Sequence, residues 1–128
     1  MKVTGGILNA LINLSEVGML PKPVTRWRDK DSGEVRMVKD ARPIELFAKI
    51  VEETAEAMRD LAKMEARIVM GDGATAERYR QAAGTELTDI ITACTTLLST
   101  LGFDLTDTAE LQRMVNEKNR KRGYHEEA

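Results

Sequence analysis

From Leu87 to Phe103 the chain reads "LTDIITACTTLLSTLGF", a helix-length apolar run with one formal charge, Asp89, and Glu86 standing three residues before it. A run of this kind cannot sit alone in water, so the chain must supply other helices to pack against it. Placed at about 100° per residue, its apolar stripe centres on Ala83, Ile90, Cys94 and Leu101, with Glu86 inside the stripe and Asp89 at its margin. The opposite side carries Thr85, Thr88, Thr92, Thr95 and Ser99 in place of the Lys and Glu of a solvated face, which predicts a largely enclosed, central helix. A carboxylate buried there is costly unless it is paired, hydrogen-bonded or bound to a metal. Two of them at i, i+3 repel unless a cation lies between them.

The rest of the chain supplies the partners. Ile7, Leu8, Leu11, Ile12 and Leu14 predict a first helix from about Thr4 to Glu16. After "MLPKPV", the segment Val24 to Val38 alternates apolar and polar residues on both sides of "DSG", the pattern of a hairpin. A second helix should start between Asp40 and Pro43 and end near "MGDG", with a stripe of Ile44, Phe47, Ile50, Val51, Ala55, Met58, Leu61 and Ala62. The third should run from about Thr75 to Leu101. A fourth, capped by Thr106 or Asp107 with Glu110 completing a capping box, should carry Leu111, Met114 and Val115 on one side and end before Gly123. The 128 residues then form a single all-α domain, a bundle of about four helices with a short irregular or β-hairpin insertion after the first.

Composition excludes several classes of function. A net charge of −2 gives no field that would draw nucleic acid or a membrane surface, although "KNRKR" is locally basic. The apolar N-terminal stretch is interrupted by Asn9, Asn13 and Glu16, which argues against a signal peptide, and Leu87 to Phe103 is short of the roughly 20 apolar residues of a membrane span. The single cysteine, Cys94, reads as a small buried thiol and fits a reducing, cytoplasmic setting. His125 is the only histidine, so a zinc cluster or a His-based triad has no material. "GDG" at Gly71 to Gly73 lacks a following Gly-Lys-Ser/Thr and reads as a turn, and the seven methionines read as core filler.

What remains is acidic. The second helix adds Glu52, Glu53 and Glu56, which lie off its main stripe among Glu45, Lys49, Asp60, Lys63 and Arg67 and taken alone would be a wet face. If the two helices pair antiparallel, these carboxylates can converge with Glu86 and Asp89 into an all-oxygen site of the kind magnesium prefers. A competing arrangement pairs the same carboxylates with Lys or Arg across an interface, in a non-enzymatic helical oligomer or a regulatory protein.

The ordered set "EETAE" then "ELTD", ExxE followed by ExxD, resembles the MazG-like group of all-α nucleoside triphosphate pyrophosphohydrolases. The likeness runs from about Pro43 to Tyr124 through "KIVEETAEAM", "ELTDIITACTTLLSTLGFDL" and "VNEKNRKRGY", a core of about 43–124 that leaves 1–42 uncovered. The resemblance implies hydrolysis of a nucleoside triphosphate between its α and β phosphates, giving a monophosphate and pyrophosphate, in the setting of nucleotide-pool house-cleaning. It implies magnesium, with manganese as a substitute, held by Glu53, Glu56, Glu86 and Asp89, with Glu52 orienting a ligand or assisting the water. Lys118, Asn119, Arg120 and Tyr124 match the end of the pattern, where contacts to phosphate, sugar or base are expected. Assembly as a homodimer or homotetramer is implied as well.

Overall fold

The computed structural model describes residues 21–125, so the helix expected over 4–16 lies outside the described residues. Two short antiparallel strands come first, β1 at Arg26–Arg28 and β2 at Val35–Met37, with Trp27 opposite Arg36. The hairpin expected around "DSG" is therefore present. Its turn closes through Asp29 N–H to the Glu34 carbonyl at 2.8 Å, and Gly33 adopts φ +74° there, a conformation that favours a residue without Cβ. A single 3-10 turn, Val38–Asp40, leads into the helices.

Three helices follow among the described residues: α1 at Pro43–Val69, α2 at Gly73–Thr100 and α3 at Leu105–Lys121. Arg42 is extended, as a residue before proline should be, and Pro43 opens α1 where no N–H is needed. At the far end Gly71 turns the chain with φ +77°, and Asp72 caps α2 by accepting from Thr75 N–H at 3.2 Å. The cap of α3 lies earlier than the sequence pattern suggested. Asp104 accepts from Asp107 N–H at 2.8 Å while Asp107 accepts from Asp104 N–H at 3.1 Å, so Asp107 is the third residue of the capping box and Glu110 is left to pair with Arg113.

The packing is dominated by α1 against α2, a long antiparallel pair joined by the turn at Met70 to Asp72. Covered positions on α1 fall at Leu46, Ile50, Glu53, Ala57, Asp60, Met64 and Arg67, and on α2 at Ala76, Tyr79, Ala83, Glu86, Ile90, Ala93 and Leu97. Alternating steps of three and four are the seam of an antiparallel coiled coil, with small Ala57, Ala76 and Ala83 allowing close approach near the turn. The strand pair is tied to α2 by Val24 N–H donating to the buried Thr96 Oγ1 at 3.1 Å, and to α1 by Arg36 on Glu45 at 2.5 Å. By contrast α3 makes only marginal contact with the other elements.

Three expectations about faces are corrected. The stripe assigned to α1 mostly points away from α2: Ile44, Phe47, Val51 and Met58 are exposed, Met58 by 65%, and only Ile50 of that set is buried. A stripe identifies the apolar face of a helix but not the partner that covers it. Next, α2 is not enclosed, since Thr85, Thr88 and Ser99 are exposed. The threonine hydroxyls donate to carbonyls one turn back, Thr85 to Gln81 at 3.1 Å and Thr88 to Gly84 at 2.8 Å, so a threonine face satisfies itself and is no sign of burial. Finally, Cys94 and Leu101 are exposed, because the packed stripe runs through Ile90, Ala93 and Leu97.

Candidate functional site

The seam brings carboxylates together because Glu53 and Glu86 occupy packed positions of the two facing helices, with Glu56 one turn along α1. The Glu53 side chain is 13% exposed, and Lys49 reaches it at 3.2 Å from one turn back on α1. Only one of its oxygens is served: Glu53 Oε2 is buried without a hydrogen-bond partner. Glu56 takes a direct ion pair from Lys30, at the tip of the strand arm, whose ammonium also lies 3.8 Å from Glu52.

The charges of these groups are strongly interdependent. The Lys30 ammonium holds the Glu56 carboxyl below the usual glutamate range, and Glu56 in turn raises Lys30. Glu86 moves the other way. Burial pushes its carboxyl above the ordinary value of 4.5, then the nearby negative charges of Glu56 and Asp89 push it further, and among the described residues none of the largest influences on it is a cation. The mutual influence of the two carboxyls favours the proton on Glu86 and the charge on Glu56.

The structure thus gathers Glu53, Glu56 and Glu86, and it places Glu52 and Asp89, both exposed, at the margins of that group. Among the described residues no three His, Cys, Asp or Glu side chains stand, as oriented, in a set that would close on one metal ion. The donor chemistry nevertheless fits a hard cation: carboxylate oxygens from facing helices, one of them buried and unpartnered, and one carboxyl that lacks a counter-ion.

The C-terminal set is not brought to the carboxylates. Lys118, Asn119 and Arg120 lie on α3 and Tyr124 just beyond it. Arg120 pairs with Glu117 of its own helix at 2.7 Å, and Tyr124, 69% exposed, uses its N–H to close the helix end on the Asn119 carbonyl at 3.0 Å. A shallow depression lined by Arg113, Asn116, Glu117, Arg120 and His125 belongs to this end of the chain alone.

Sequence reasoning missed both lysines. Lys49 was legible, since it stands four residues before Glu53 on a helix. Lys30 was not, because it meets Glu56 across 26 residues of sequence from a turn whose direction no local pattern reports. No helix among the described residues is long and apolar enough to cross a membrane. Comparison of the chain with known protein families, with curated proteins and with solved structures finds no match.

Proposed function

We propose that this protein is a nucleoside triphosphate pyrophosphohydrolase dependent on magnesium, in line with its resemblance to the MazG-like group. The observation that carries the reading is Glu53 Oε2, a buried carboxylate oxygen without a partner among the described residues, beside a Glu86 carboxyl that makes no ion pair with any of them. A structural ion-pair network would leave neither of these, since a buried charge without a partner is costly and brings no stability.

In this reading Glu53, Glu56, Glu86 and Asp89 hold the metal. Magnesium, or manganese in its place, supplies the positive charge that screens phosphate oxygens and makes a bound water more acidic. Glu52, exposed at the edge of the group, would orient a ligand or accept a proton from the attacking water. The helices themselves hold the carboxylates at fixed heights along the seam, so their positions do not depend on a loop. Attack at the α phosphate breaks the bond to the β phosphate and releases a monophosphate and pyrophosphate. Lys118, Asn119, Arg120 and Tyr124 would contact the substrate once α3 is brought near the seam.

That last condition favours an assembly. No other described element covers the outward stripe of α1 or the apolar side of α3, including Leu105, Met114 and Val115, and a second copy of the chain would cover them as a homodimer or as half of a homotetramer. In the same reading the protein acts in a reducing cytoplasm on the nucleotide pool.

The test is a screen of canonical and damaged nucleoside triphosphates with magnesium or manganese, measuring pyrophosphate separately from orthophosphate. Pyrophosphate release from at least one nucleotide, abolished by EDTA, is expected. Orthophosphate alone, or no product with any nucleotide and metal, removes the assignment.

A further inference from the structure

The sequence between the first predicted helix and α1 falls outside the ExxE and ExxD pattern, yet among the described residues it delivers the cation that reaches the carboxylates from another element. Lys30 is the second residue of the turn from Asp29 to Glu34. Asp29 Oδ1 shapes that turn by accepting from Asp31 N–H at 2.8 Å and Ser32 N–H at 3.2 Å. The base of the arm is fixed to both long helices by Val24 on Thr96 and Arg36 on Glu45, and Arg36 also lies 5.3 Å from the centroid of the Trp27 ring. At the tip, the ion pairs among the described residues that reach a helix are those of Lys30 with Glu56 and Glu52.

We infer that Lys30 is a tethered counter-ion that occupies the carboxylate group in the metal-free protein and must leave Glu56 when a divalent cation binds. This rests on the metal reading of the same site. The Lys30 ammonium sits on Glu56 and beside Glu52, so a divalent cation brought to the same carboxylates meets its repulsion at close range and the two compete for Glu56. Departure is easy, because the Lys30 side chain is 46% exposed and its flexible stem can carry the charge into water while the arm stays anchored at its base. Lys49 differs in this respect. It pairs with Glu53 from within the same helix, 25% exposed against the 46% of Lys30, so its charge is held beside that carboxylate by the helix itself and not by a movable arm. Arg59 acts on Glu56 only through space. Competition by Lys30 therefore sets the cation concentration at which the site fills, and it protects the seam from its own repulsion when no metal is present.

The experiment compares wild type with Lys30→Gln, Lys30→Arg and Arg59→Gln in calorimetric titrations with magnesium chloride at moderate salt, together with melting curves in EDTA. An exposed ion pair is worth about 0.2–1 kcal/mol, so removing Lys30 should tighten magnesium binding by a factor of about 1.4 to 5. Lys30→Gln should also melt below wild type in EDTA and lose that deficit at saturating magnesium. Lys30→Arg should bind magnesium no more tightly than wild type, and Arg59→Gln, which removes a nearby charge without removing a contact, should change affinity less than Lys30→Gln. Equal affinities for wild type and Lys30→Gln, or an equal gain from Arg59→Gln, overturn the competition and leave the metal reading standing. Absence of magnesium binding in wild type and in Lys30→Gln alike overturns the metal reading and the competition with it.

Discussion

Along α1 the face turned to α2 carries Leu46, Ile50, Glu53, Ala57 and Asp60, whereas the face turned away carries Ile44, Phe47, Val51, Met58, Leu61 and Ile68. A helix pair assembled only to hide apolar area would have buried the second set, because each large side chain removed from water is worth about 1.5–3 kcal/mol. It buries the first set instead, alanines and carboxylates included. The difference separates two demands on one helix: the inward face positions acidic groups at close range, and the outward face is left to another surface.

The largest expected effect breaks the outward side of that comparison. If a second copy covers the stripe, placing charges at Val51 and Met58 together, V51D with M58D, should abolish assembly, since an aspartate buried without a partner costs several kcal/mol. Light scattering should show a dimer or tetramer for wild type and a monomer for the double variant. A monomeric wild type at tens of micromolar, a rough concentration for a stable interface, would show that the outward stripe has no such partner.

A smaller effect sharpens the inward side. Ala76 is 5% exposed at the narrow end of the seam, so Ala76→Leu should overpack it and lower stability by about 1–3 kcal/mol. The loss should be the same in EDTA and in magnesium, because this end holds no part of the proposed site. A magnesium-dependent loss would mean that the two ends of the seam are not independent.

Much of this was legible in the sequence for local reasons. Pro43, Gly71, Gly102 and the turn around Gly33 bound the elements where the chain must stop or reverse, and such signals act within a few residues. Which face meets which was less legible. The α1 stripe was read as its packing face because periodicity reports amphipathicity and not the partner, and for the same reason Glu53 and Glu56, taken alone, resemble a wet face. Glu86 was placed on the packed side correctly, since it repeats in step with Ala83 and Ile90. The Lys30 contact depends on tertiary structure and has no local trace.

The central claim is that the Glu86 carboxylate is there for a cation from solution and not for an ion pair within the protein. Its raised position means that the folded state takes up a proton more readily than the unfolded chain. Folding therefore incurs a penalty that grows as the pH rises above the ordinary glutamate value of 4.5 and is fully present once the pH exceeds the raised one. Melting curves of wild type and Glu86→Gln, each in EDTA and in magnesium at pH 7, test this directly. The variant should melt at or above wild type in EDTA, with any advantage fading as the pH is lowered toward 4.5. Magnesium should stabilise wild type by about 2.7 kcal/mol at roughly 100 times its dissociation constant and the variant much less. A variant destabilised by about 3–5 kcal/mol in EDTA, the cost of stranding the partner of a buried ion pair, with no effect of magnesium on wild type, would contradict the account.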